Sequence, residues 1–443
     1  MGYYVEKVGQ KIKGNTWFIL MIISTAYIAT VLNMQGIKTI MPFITEEFVL
    51  TRAQAGLYST FFFASATAIA LFSGKIVDII GPRKGLMLGA LSMGGLMVFH
   101  TFVPGYIFML ILAFFAGIGF SLVTPAANKG VMELVSPKKR AVSMGIVHAG
   151  GGVGGFMAAM LLPYIGALYG WRVSLFLSGG AAVFIGVLIF YFYNSDRATS
   201  GKASNVRKNP AVVDRDAGKD AGKKISFKED IISLIKNRFL ISFGAMGFIF
   251  GAGISSISTH YTIFAGQDMG ISQGFVGAPL ALFQIGGMFG QPGWGYINEN
   301  FFGGDRRKGL FVQGLLISFV LLMTSILVYV FSFGLVGGLV FSFFMGFFVL
   351  GIPGVYFTAV GELVPENQNG TATSLALIFL RFGVIIVPPI FGYIADVFGS
   401  YQFSWIVLSG LVFILTMLFY FTSKGAMERI RLMEEEKSKK NTI

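Results

Sequence analysis

The sequence predicts an all-α membrane protein of twelve transmembrane helices, arranged as two pseudo-symmetric six-helix bundles. Three observations lead there. Hydrophobic residues make up 54% of the 443 residues and charged residues 12%, with a mean hydropathy of +0.73. A soluble globular chain carries roughly 25% charged residues, and half that share does not coat a water-facing surface of this size. Twelve stretches have the length a bilayer requires, roughly 17–25 mostly apolar residues. Finally, short polar signatures at the ends of these stretches occur twice, at corresponding places in the two halves.

In chain order the spans are Trp17–Phe43, Gln54–Ile76, Leu86–Phe102, Tyr106–Asn128, Val142–Leu168 and Val173–Tyr193. The second six are Phe239–Ala265, Phe275–Ile297, Leu310–Phe331, Leu335–Ala359, Thr373–Val397 and Phe403–Thr422. Alternate loops differ in charge. One set carries Arg83-Lys84, Lys138-Lys139-Arg140, Arg306-Arg307-Lys308 and a basic tail; the other holds Glu46-Glu47 with Arg52, Arg172, and Asp268. Lys and Arg gather on the cytoplasmic side of membrane proteins, so both termini are expected inside a cell-membrane, multi-pass protein. The segment Asn194–Asn237 is polar, basic and poor in aromatics, as a linker is. The chain thus divides into a bundle at 1–193, a cytoplasmic linker at 194–237, a bundle at 238–425 and a tail at 426–443.

Composition also excludes. Cysteine is absent, which removes disulfides, thiolate metal sites, Fe–S clusters and thiol nucleophiles. Three histidines do not make a His-rich metal centre, and no cofactor is expected. The net charge of +13 lies between apolar spans and follows the positive-inside pattern, so nucleic acid is not an expected partner. The expected partners are the lipid bilayer and a small-molecule substrate, with the protein acting as a monomer. No cleavable signal peptide is expected, because no small-residue cleavage site follows the first apolar stretch.

The sharpest motif is Gly74-Lys-Ile-Val-Asp78-Ile-Ile-Gly81-Pro-Arg83-Lys84, between spans two and three. Its second copy, Gly295-Tyr-Ile-Asn-Glu299 through Arg306-Arg307, joins spans eight and nine. Glu133-Leu-Val-Ser-Pro137 and Glu362-Leu-Val-Pro365 form a second repeated pair. The chain resembles the major facilitator superfamily over essentially its whole length, on the strength of this doubled G-x-x-x-[D/E] loop signature. The resemblance implies alternating access between two bundles. The glycines then serve close packing and a tight turn. Asp78, Arg83, Lys84, Glu133, Arg140, Glu299, Arg306, Arg307 and Glu362 are the expected gating residues, in a cytoplasmic latch whose ion pairs form in one state and break in another. Two departures matter. Ala113 stands where many members have an Arg ahead of Gly117-Ile-Gly119, so that Arg's proton-linked role does not transfer. Gly151 stands where the glycine-rich motif of drug antiporters has Pro, so Gly150–Gly155 reads as a smooth packing face.

A charge at the centre of a spanning helix costs roughly 2.5–3.5 kcal/mol on insertion scales, so it is functional by default. Arg381 lies near the middle of span eleven and Lys38 in the outer part of span one. Every Asp and Glu falls in a loop, a tail or the end of a span. Either protein dipoles or a bound anion must therefore satisfy Arg381, while Lys38 has the alternative of snorkelling outward. Asn33, Gln35, His260, Tyr261 and Gln284 are further candidates for substrate binding. His148 and His260 are candidates for ion coupling, since imidazole titrates near physiological pH. The expected function is secondary active transport of a small organic anion by ion-coupled symport or exchange. Efflux of amphipathic drugs is the alternative within transport, and a membrane receptor without transport the alternative outside it. An enzyme is not expected, because no acids, histidines or nucleophiles cluster at one depth. No P-loop for ATP is present either.

Overall fold

The computed structural model describes residues 16–135, 140–193, 238–330, 335–362 and 369–425. The linker at 194–237 and the tail at 426–443 lie outside the described residues. The described chain is helical throughout. The first bundle contains α1 (Thr16–Thr39), α2 (Met41–Glu47), α3 (Arg52–His100), α4 (Tyr106–Leu134), α5 (Arg140–Tyr169) and α6 (Trp171–Phe192). The second contains α7 (Arg238–Gln267), α8 (Ala278–Phe301), α9 (Arg306–Val330), α10 (Leu335–Val349), α11 (Ile352–Glu362), α12 (Asn369–Phe398) and α13 (Gln402–Thr422).

Two spans share α3. Its continuity breaks at Gly81, whose φ of 82° and ψ of 162° lie outside the helical region. Only glycine takes such a φ without steric cost, and Pro82 then presets the first residue of the second arm. The two arms, 52–80 and 82–100, run back along each other. Their far ends meet, with the Tyr58 hydroxyl 3.3 Å from His100 Nε2. Counting those arms separately, α1 with α2 as one span and α10 with α11 as another, gives the twelve helices of the fold. Among the described residues nine helices are long and apolar enough to cross a membrane, and the bent α3 pair makes up to ten. α8 falls short because Gln284, Gln291, Asn298 and several glycines dilute its apolar content.

Two expected spans are broken. The first ends at Thr39, and α2 restarts after Ile40 with a proline in its first turn. The tenth divides at Leu350-Gly351, where Pro353 cannot donate to the carbonyl of Val349 and crowds it.

Candidate substrate and gating sites between the bundles

The bundles meet along two seams, α3 against α12 and α5 against α8. At the end opposite the basic loops the α3 seam is densely hydrogen-bonded. Asp396 accepts from the backbone N–H groups of Arg52 and Ala53 at 2.8 and 2.9 Å. The Arg52 guanidinium donates to the carbonyls of Ala395 and Gly399 and to Gln267 Oε1. Gln273 donates to Glu46 at 2.7 Å. Further in, Thr60 donates to the Ile385 carbonyl at 2.6 Å, Ser59 and Thr259 share a 2.7 Å hydroxyl contact, and Thr262 donates to the Lys38 carbonyl at 3.0 Å.

This ladder ends at Phe63, about 16 Å along α3 from Arg52 at the helical rise. Lys38 Nζ lies 4.8 Å from the centre of its ring and Arg381 Cζ 5.7 Å from the same centre. Lys38 is 3% exposed and Arg381 is half-buried. Among the described residues neither cation has a hydrogen-bond or ion-pair partner. On the basic-loop side of Phe63, no hydrogen bond or ion pair joins the two bundles among the described residues. Among the described residues the two bundles are thus hydrogen-bonded to each other at one end only, with two cations from different bundles where those bonds stop.

The remaining expected binding residues divide. Gln35 is 6% exposed, and its Oε1 is buried without a partner. Gln284 lies on the α5–α8 seam, where a Cβ on Gly155 would come within 2.9 Å of its amide. The other three hydrogen-bond inside their own bundles, and the Oδ1 of Asn33, like the Oε1 of Gln35, is buried without a partner. Asn33 donates to the carbonyls of Ala29 and Ser178 inside the first bundle. His260 is fully buried and has both ring nitrogens occupied, by the Pro388 carbonyl at 2.9 Å and the Tyr401 hydroxyl at 3.1 Å. Tyr261 is bonded to Ser342 at 2.6 Å inside the second bundle. In this conformation His260 thus ties α7 to α12 and to the start of α13 within the second bundle. His148 is exposed, holds Asn128 Oδ1 at 2.9 Å and meets the Tyr27 ring edge-on.

The expected gating residues lie at the basic end, and in this conformation those with a named partner are paired within their own bundles. Asp78 pairs with Lys129 at 2.9 Å. Arg306 joins Glu299 at 2.6 Å to Glu362 at 3.3 Å. Arg83 donates to the Phe190 carbonyl, Arg140 to that of Val135, and Arg307 to that of Tyr420. Lys84 and Glu133 are exposed. A Cβ on Gly74 or on Gly295 would meet open space, so the close packing expected of these two is not made in this state. Phe63 and the pair Arg52 and Asp396 were not singled out from the sequence. Phe63 has no local signature in a chain with 47 phenylalanines. For Arg52 the Thr51-x-x-Gln54 capping box marks a helix start but not what faces it.

Two helical bundles cross-linked at one end, with a cation from each beside a shared ring, have the architecture of a membrane carrier. The chain belongs to the major facilitator superfamily: the model of that family matches residues 23–342 and 243–442. The hexuronate transporter of Bacillus subtilis is 20% identical over 89% of this chain and 91% of its own length. A probable sulfoacetate transporter of Cupriavidus necator is 22% identical over 89% and 90%. Among solved structures, a bacterial homologue of the human lysosomal transporter Spinster, inward-facing and occupied, matches with a TM-score of 0.72. It is 14% identical and covers 93% of this chain and 97% of that one, which fixes the fold.

Proposed function

We propose that the protein is a secondary transporter for a small organic anion, working by alternating access through symport or exchange. The observation that carries this is the pair Lys38 and Arg381, which come from different bundles, share the Phe63 ring and lack any anionic partner among the described residues. A cation–π contact is worth about 0.5–2 kcal/mol. Removing an ion from water costs several kcal/mol, so the ring alone does not compensate two cations. A carboxylate or sulfonate between them does, and it ties the two bundles together as it binds. The relatives named for hexuronate and sulfoacetate carry substrates of that charge. Gln35, with its unpartnered acceptor, and Gln284 supply neutral contacts.

The positive-inside bias assigns the basic end to the cytoplasm, with both termini there, so this conformation is inward-open. Closing that end brings the bundles, divided at the linker, together over Gly74 and Gly295. It also exchanges the in-bundle partners of Asp78 and Glu299 for partners across the gap. Asp78→Asn is expected to lower the maximal transport rate about tenfold while leaving substrate affinity within about twofold, because the residue acts on the balance of states. Rate and affinity measured in one proteoliposome preparation check this. Unchanged transport at equal protein content removes Asp78 from the gate. His148 and His260 are the candidates for ion coupling.

Counterflow in proteoliposomes, with labelled hexuronate, a labelled sulfonate and a cationic amphipathic dye, tests the substrate class. Anion counterflow with no dye flux is expected. Dye flux alone establishes drug efflux instead. Saturable anion binding without counterflow establishes a receptor.

A further inference from the structure

We propose that Arg52 and Asp396 are positioning residues of the transport cycle, which hold the outer end shut by capping each other's helices across the two bundles. This rests on the alternating-access reading above, and concerns the end of the molecule that the loop motifs do not reach.

The first four N–H groups of a helix and its last four carbonyls have no partner inside it. At the start of α3, Thr51 and Gln54 form a capping box that satisfies the N–H groups of both residues. The N–H groups of Arg52 and Ala53 remain, and each takes one oxygen of the Asp396 carboxylate, at 2.8 and 2.9 Å. Asp396 belongs to the last turn of α12. At that end the carbonyls of Ala395, in the last turn, and of Gly399, just past it, accept from the two terminal nitrogens of Arg52 at 2.8 and 3.1 Å. Arg52 Nε reaches Gln267 at the end of α7 at 3.0 Å, and the guanidinium lies over the Tyr401 ring at 5.2 Å.

The signs of the charges identify the purpose. A helix N-terminus is electropositive and favours anions; a C-terminus favours cations. Arg52 sits at the N-terminus of its own helix and Asp396 at the C-terminus of its own, so each is misplaced on its own helix. Each is correctly placed only for the helix it faces in the other bundle. No ion pair within 4 Å joins the two side chains among the described residues; the attraction runs from side chain to helix end. When the outer end opens, both caps are lost and both charges are left on unfavourable termini. The interaction therefore discriminates between states. By contrast, Glu47 at the same end bonds Arg172 at 2.7 Å and the Trp171 indole at 2.6 Å inside the first bundle. Arg172 holds the Glu47 carboxyl below the usual range for a carboxylate, and this contact is indifferent to the state.

The chain has no cysteine, so Ser59→Cys supplies the sole thiol. Ser59 is buried behind the latch, against Thr259 of the other bundle. In right-side-out vesicles without substrate, alkylation of this thiol by a membrane-impermeant maleimide reports opening of the outer end. Asp396→Asn and Arg52→Gln are each expected to raise the rate about tenfold, equivalent to about 1.4 kcal/mol. The double variant should exceed the faster single one by no more than about twofold, since both break one device. Asp396→Glu retains two acceptor oxygens and should return the rate to within about threefold of the parent, a rescue that a purely structural defect would not show. Glu47→Gln should leave the rate unchanged. Unaltered alkylation in either single variant, or an equal rise in Glu47→Gln, overturns the proposal. Because no substrate is present, such a failure is distinct from failure of the anion reading.

Discussion

Arg381→Gln is expected to abolish anion counterflow, with a loss of at least about 100-fold, while the protein inserts at the parent level. Hydrogen bonds to a charged group contribute about 1.5–3 kcal/mol each, and the guanidinium presents two in parallel to a carboxylate or sulfonate. The loss of two such bonds exceeds the 2.7 kcal/mol that a factor of about 100 requires. Arg381 sits 12 residues into the 30-residue α12, and its guanidinium shares the Phe63 ring with Lys38. Arg381→Lys keeps the charge and loses the planar fork, so transport should fall severely, though less than for Gln. Binding of a labelled anion to detergent-solubilised protein, beside counterflow, separates lost affinity from lost movement. Full uptake by Arg381→Gln would remove this residue from the substrate site.

Gly277→Ala should cut the maximal transport rate roughly tenfold without a matching loss of stability. Gly277 precedes α8 with φ −80°, which any residue adopts, so its requirement is space rather than backbone freedom. A Cβ there would fall inside the radius of the Ala159 carbonyl oxygen and come within 2.9 Å of Pro163. Both belong to α5 of the other bundle. A backbone carbonyl cannot swing aside, but two bundles can part, so the added methyl disfavours closure of the outer end. Gly286→Ala provides the contrast. Its Cβ would strike the Phe343 carbonyl in α10, within the same bundle, so the cost of overpacking, about 1–3 kcal/mol, falls on the fold. Thermal unfolding in detergent should show a lower midpoint for Gly286→Ala and little change for Gly277→Ala. The Ser59→Cys reporter should alkylate faster with Gly277→Ala alone. Normal transport by Gly277→Ala would show that this contact does not gate closure.

The helical class, the spans, the doubling of the loop signature and the two intramembrane cations can be read from the amino-acid order alone. These are legible because the bilayer acts on local composition: about twenty consecutive residues either bear the transfer from water or do not. The break before Pro353 is local too, yet hydropathy averages across it. The direction in which each polar side chain points emerges only once the helices are packed. Asn33 shares α1 with Lys38, and His260 and Tyr261 share α7 with Thr259 and Thr262, which bond across the seam, yet all three bond within their own bundles. Gln284 and Gly155 meet across the seam. Helix rotation and tilt are set by packing against neighbours rather than by hydropathy. The same holds for Arg52 and Asp396, which read as ordinary loop-end charges until two helix termini 344 residues apart in sequence are placed face to face.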